Sequence, residues 1–269
     1  MNSKTLNILQ HLPVPAAQAP YTQEVDQLLH PLRKFTLLEN GVQDSPITTV
    51  SDGKRFHIER FVFIGPDSGH QPIRLGIFAG IRGQDRHSPA AAVRFLHDLV
   101  ASPELATGFH IYFYPVAYPH GFNNHQPGLG AGKDLFQLLW KDSPLPEPYL
   151  LERELAVIQF HGILSLLGLS NLSGVSLQLH GVWSSLQTTV VQPAVHAASR
   201  FLPLAQSGDW TASQKISLTT GGDLNPRPFE ISIKVPRETA PRTQINAYRA
   251  ALHAILQHYR AVISHAQHI

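Results

Sequence analysis

The chain contains no cysteine, which rules out a disulfide framework, a thiolate metal site and a cysteine nucleophile together. Any metal would have to be held by His, Asp or Glu. Charge is also scarce: 21 basic and 19 acidic residues give a formal net charge of +2, with no run of Lys or Arg. A nucleic-acid footprint needs a basic stripe, so no nucleic-acid partner is expected. No window approaches the ~20 consecutive apolar residues of a membrane span. The first twenty residues hold one Lys and an apolar stretch interrupted by Pro13 and Pro15, too short for a secretory core. The expectation from these absences is a cytoplasmic protein with no membrane contact.

What is present describes a globular body. Hydrophobic residues make up 43% and charged residues 15% of 269 positions, a profile without the charge excess that drives disorder. A chain of this length buries roughly three quarters of its unfolded surface. With no linker or internal repeat, residues 1–269 read as one domain, with 1–50 as an N-terminal extension carrying a short helix.

Local patterns predict alternating elements. Residues 22–35 have helical spacing through Val25, Leu28, Leu29 and Leu32, although Pro31 is expected to kink or end the helix. Residues 56–64 and 73–81 read as two strands separated by a Gly-Pro-Asp-Ser-Gly turn. Ser88-Pro89 before AAAVRFLHDLV places a capping serine and a first-turn proline at the start of a helix over about 88–101. Strands are predicted at 109–119, 174–181, 215–222 and 228–236, and helices at 149–167 and over the last 25 residues or so. The Gly-, Asn- and Pro-rich stretch 121–148 reads as a long binding loop. The fold class is therefore α/β: a mixed, mostly parallel sheet with helices on both faces.

Ligands bind such sheets beyond the carboxyl ends of the strands, and there the residues become specific. Gly76-Ile-Phe-Ala-Gly-Ile-Arg-Gly-Gln-Asp85 resembles the apolar strand and Ala-Gly-x-His-Gly-x-Glu segment of the zinc carboxypeptidases and their succinylglutamate desuccinylase and aspartoacylase relatives. Arg82 stands in the histidine slot and Asp85 in the glutamate slot. Pro115 to Phe122 is similar to the family's Pro-x-x-Asn-Pro-Asp-Gly segment, with Tyr118 for Asn and His120 for Asp. Gly132 to Gln137 resembles its Asp-Leu-Asn-Arg motif, keeping Asp134 and Leu135 but placing Phe136 and Gln137 where Asn and Arg grip a substrate carboxylate. Leu177-Gln178-Leu179-His180-Gly181 is similar to the Asp-x-His-Gly strand, with His180 as the third zinc ligand and Gln178 in the acidic position. Phe229 to Pro236 resembles the general-base strand, with Lys234 in the glutamate position.

The resemblance implies the fold and, by its departures, an altered site. A hydrolytic zinc needs three protein ligands and one open position, whereas an arginine stays protonated and offers no lone pair. Arg82, Lys234 and a protonated His180 around one carboxylate would repel a divalent cation and attract an anion. Each position also has a plainer reading. Arg82 and Asp85 can form a turn-stabilising ion pair, His180 can be a hydrogen-bonded structural histidine, and Lys234 can face solvent if the register shifts by one. Glu230 shares a strand face with Lys234 but lies about 13 Å from it, too far to replace it as base. His120 with His125, and His253 with His258, are five residues apart and do not converge on a regular helix or strand. There is no G-x-S-x-G elbow and no Gly-rich phosphate loop.

The functional expectation is a member with no tightly bound cofactor, whose pocket of Arg82, Asp85, Tyr118, Phe136, Gln137, Gln178, His180 and Lys234 binds a small carboxylate or peptide-like ligand. The first alternative is a working metallocarboxypeptidase or amide deacylase, with zinc on a shifted set such as His180, Asp85 and a loop histidine. The second is a scaffold or interaction protein.

Overall fold

The structure is a computed structural model that describes residues 23–37, 41–51, 53–67, 71–123, 135–141, 143, 145–181, 184–209 and 216–266. Its strands are β1 (Val42–Asp44), β2 (Ile47–Ser51), β3 (Lys54–Ile58), β4 (Phe61–Ile64), β5 (Ile73–Phe78), β6 (Phe109–Tyr114), β7 (Gly162–Leu169), β8 (Ser176–His180) and β9 (Phe229–Pro236). Seven of them form one sheet in the order β1-β4-β6-β5-β7-β9-β8, and β2 with β3 makes a separate hairpin. The central strands β6, β5, β7 and β9 are mutually parallel, while β4 and β8 run antiparallel to their neighbours. The expected mixed α/β sheet is thus present.

One face is covered by α1 (Gln23–Leu37), α2 (His87–Ala101), the helical run from Ser184 that ends in α5 (Gln192–Ser199), and α6 (Pro241–Ala266). The other face carries α4 (Pro146–Ile158), the β2–β3 hairpin and the turn at 216–222. A short α3 (Pro119–Asn123) follows β6. Strand β9 shows how the sequence divides the two sides. Phe229, Ile231, Ile233 and Val235 pack under the helices of the first face, so Glu230, Ser232 and Lys234 point to the second. All three are fully buried.

Several elements differ from the local reading. The expected helix over 149–167 stops at Ile158, where Gln159 takes φ 51, and the chain then enters β7. All eight residues of β7 are buried; a short, continuous apolar run has no period to distinguish a central strand from a buried helix. The run 56–64 is not one strand. It breaks at Glu59 and Arg60 because these side chains are drawn to different partners, Glu59 to Arg33 of α1 at 2.7 Å and Arg60 to Glu154 of α4 and the Ser45 carbonyl. Residues 216–222 form a turn rather than a strand, since their backbone and hydroxyl donors face a buried carboxylate. Within 121–148, α3 ends and α4 begins, and 124–134 lies outside the described residues. Pro31 sits inside α1 without ending it; the helix there loses only the bond that Pro31 has no N–H to make.

Candidate functional site

The loop after β5 is held tightly before any side-chain chemistry is considered. Gly80 has φ +56, and a Cβ there would lie 2.9 Å from the Val116 Cα, so the position accepts only glycine without strain. The Ala79 and Gly80 carbonyls accept the amides of Ala117 and Tyr118 at 2.8 and 3.1 Å, and the Gly80 amide donates to Ser88 Oγ at 3.1 Å. Ser88 therefore ties α2 to the loop instead of capping the helix. Capping falls to Asp85, whose Oδ1 accepts the amides of His87 and Ser88 at 3.2 and 3.0 Å.

The other oxygen of Asp85 does something the sequence did not suggest. Oδ2 accepts the Gly168 amide at 2.6 Å, binding the loop to the end of β7. Asp85 is buried, and its carboxylate is committed to three backbone N–H groups. The expected ion pair with Arg82 is absent; Arg82 meets Asp85 only through its carbonyl, which accepts the Asp85 amide at 3.0 Å. Gly168 makes the arrangement possible, because a Cβ on it would come within 2.7 Å of the Asp85 Cγ and Oδ1.

Strand direction then separates the remaining candidates. In the register of the parallel strands, Phe78, Ser165 and Ser232 are level, and the Asp85 carboxylate is bonded to Gly168, which is level with Val235. Because β8 is antiparallel, His180 pairs with Glu230, near the beginning of β9. That puts His180 about 17 Å along the strands from the Gly168 level where Asp85 is held, and two strand spacings away across the sheet. Its Nε2 is hydrogen-bonded to Ser232 Oγ at 2.9 Å. The set of His180, Asp85 and a loop histidine proposed for a shifted zinc site is not assembled by this topology, and His125 lies outside the described residues. Lys234 is separated from Asp85 in another way: Asp85 sits over Gly168 on the α2 and α6 side, whereas Lys234 points to the α4 side.

Lys234 is nonetheless unusual. It is fully buried and donates to Gln178 Oε1 at 2.7 Å, and burial lowers its pKa to about 8. Glu230, farther down the same strand face, accepts Ser165 Oγ, Ser217 Oγ, Thr219 Oγ1 and the amides of Leu218 and Thr219. A carboxylate so surrounded fixes the 216–222 turn and is not available as a base for chemistry near Arg82.

Tyr118 is buried, Phe136 packs at the edge of the second core and Gln137 is exposed. Asp134 lies outside the described residues, as does the side chain of His120. Arg86, not singled out by sequence, places its guanidinium 4.4 Å from the centre of the Phe122 ring, a cation–π contact.

β5 is flanked by the parallel strands β6 and β7, whose carboxyl ends bring Pro115–Tyr118 and Gly168–Leu169 beside the loop. None of these residues is a His, Asp or Glu. Among the described residues no group of three or more His, Cys, Asp or Glu could hold a metal ion.

The described residues thus form a mixed α/β sheet layered by helices, with no assembled group of metal-binding side chains at the loop after β5. No protein-family model matches the chain, and neither does any curated protein. Solved structures do. A metallo-carboxypeptidase from Burkholderia cenocepacia superposes with a TM-score of 0.66 at 14% identity, over 90% of this chain and 70% of that one. A protein from Shewanella denitrificans OS217, provisionally described as a metallopeptidase, gives 0.64 at 16% identity over 87% and 90%. Bovine thrombin-activatable fibrinolysis inhibitor, solved with tick carboxypeptidase inhibitor, gives 0.61 at 13% identity over 88% and 97%. At such identities the likeness establishes the fold.

Proposed function

We propose that this protein uses the carboxypeptidase fold without hydrolysis by a zinc at the inherited positions, and binds a small anionic or carboxylate-bearing ligand beyond the carboxyl ends of the parallel strands. The observation that carries this reading is the fate of Asp85. The loop from Ala79 to Ser88 turns its one carboxylate inward onto three amides, while Arg82 and Arg86 remain half-exposed on it. Arg237, bonded to Gln84 and 3.8 Å from the exposed carboxylate of Glu238, adds a third guanidinium beside the loop, in part neutralised. A rim of this composition favours an anion by simple Coulomb attraction.

The test has two parts. Zinc content is measured by elemental analysis on untagged protein dialysed against trace zinc, and N-acyl amino acids and dicarboxylates are screened by thermal shift against the wild type and Arg82→Ala. The expected result is no stoichiometric zinc and stabilisation by at least one carboxylate that Arg82→Ala abolishes. One zinc per chain with chelator-sensitive hydrolysis of an acylated amino acid would overturn the proposal. Stabilisation indifferent to Arg82 would remove the site assignment.

A further inference from the structure

We propose that the helical face, away from the strand ends, carries a groove for a small organic anion with an apolar body, its head held by Arg94, Arg242 and Arg249. Two cavities meet there. One, of about 550 Å³, is lined by Arg94 from α2 and by Arg242, Ile245, Asn246 and Arg249 from α6. The other, of about 390 Å³, runs between α1 and α2 past Leu28, Pro31, Phe35, Ala90 and Val93, has Gln27, His97 and Asp98 in its wall, and shares Arg94 and Arg249 with the first. Each is within the size range of small-molecule sites. An apolar channel therefore opens into a cationic end, with the two arginines at the junction.

One of the three cations is held by the fold, and the other two are left to solvent. Arg242 and Arg249 are seven residues apart on α6, two helical turns, and so project from one face. Arg249 is braced, with Nε and Nη2 donating to the two oxygens of Asp98 at 2.8 and 2.7 Å, while its Nη1 has no partner among the described residues. His253 also binds Asp98, at 3.0 Å. Asp98 thus balances one guanidinium and holds it in place. Arg94 and Arg242 are exposed and have no acidic partner among the described residues. Arg242 also lies in the first turn of α6, where the helix dipole is positive and no acidic residue offsets it.

Residues 1–22, which precede α1, contain no Asp or Glu, so their side chains bring no carboxylate to the arginines. The complementary partner is a separate molecule whose phosphate or carboxylate meets the guanidiniums and whose acyl or aryl body lies along Leu28, Phe35 and Val93.

Anilinonaphthalene sulfonate, an apolar anion that fluoresces when bound, is the probe, titrated into the full-length protein and competed with dodecyl phosphate, inorganic phosphate and a short RNA. The expected result is one saturable site, displaced by dodecyl phosphate far better than by inorganic phosphate or RNA. Affinity should fall about tenfold or more in the Arg94→Gln/Arg242→Gln variant, the loss of charge-assisted bonds to one head group. Both arginines are exposed and make no internal bonds, so that variant should keep its melting temperature. Phe35→Ala should weaken dodecyl phosphate without altering the weak effect of inorganic phosphate. Probe binding unchanged by the double arginine substitution would overturn the proposal. So would displacement by inorganic phosphate as effective as by dodecyl phosphate, or tighter competition by RNA.

Discussion

Replacing Asp85 with alanine tests the central structural claim, that this carboxylate is a brace and not a ligand. The substitution removes a helix cap, a loss of about 1 kcal/mol. It also leaves the Gly168 amide buried without an acceptor, which costs about 1–3 kcal/mol. Relief from burying a carboxylate offsets part of this sum, so the expected net destabilisation is about 1–3 kcal/mol. For a domain of this size that corresponds to a fall in Tm of about 2–12 °C. Thermal and urea unfolding followed by circular dichroism measure it. Gly168→Ala attacks the same contact from the other side, since the new Cβ would stand 2.7 Å from the Asp85 carboxylate; overpacking of this kind costs about 1–3 kcal/mol. The double variant separates the mechanism from generic damage. With the carboxylate gone the Cβ has room, so the two effects should sum to at least 1 kcal/mol less than additivity, well beyond the ~0.5 kcal/mol scatter of independent sites. Strict additivity, or an Asp85→Ala variant as stable as the wild type, would refute the bracing role and return Asp85 to the candidates for ligand or metal contact.

Further outcomes follow from the same geometry. Lys234, with its pKa lowered to about 8 by burial, binds fewer protons folded than unfolded between about pH 8 and the unfolded value near 10.4. Wild-type stability should therefore rise with pH across that window, by up to about 3 kcal/mol, and the contribution should be flat below it. Lys234→Met should accordingly gain most over the wild type below pH 8 and lose that advantage by about pH 10; an advantage independent of pH would contradict the burial of a titrating amine. The Tyr248 hydroxyl is buried without a hydrogen-bond partner among the described residues, so Tyr248→Phe should stabilise by about 1 kcal/mol or more in chemical denaturation, and a loss would reveal a partner. For metal binding, Arg82→His with Asp85→Glu and Lys234→Glu should not create a zinc site, because His180 is at the other end of the sheet. Zinc uptake by the triple variant would show that His180 reaches the site.

Much of this was open to reading along the chain. The Ala79 to Asp85 loop, α2, β6, β9 and α6 have local signatures: an apolar run into a glycine turn, a Ser-Pro start, a strand with a polar column, a long periodic helix. That Arg82 offers no metal ligand is likewise a matter of residue type, decided before folding because a guanidinium has no lone pair to give. Strand β7 was harder to see. A stop signal existed at Gly162, but eight apolar residues have no period of their own, and the preceding helix absorbed them.

The tertiary structure alone decided the rest. Local sequence does not specify the direction of a strand, and the antiparallel course of β8 carries His180 away from Arg82. Neither does it specify where a carboxylate finds its donors, which turned Asp85 onto Gly168 and Glu230 into the 216–222 turn. The sequence shows arginines scattered without a run; the packing of α2 against α6 brings residues 94, 242 and 249 to one cavity. Residue chemistry is a local property written into the chain, but the convergence of side chains depends on long-range pairing, and only the folded sheet and its helices supply that.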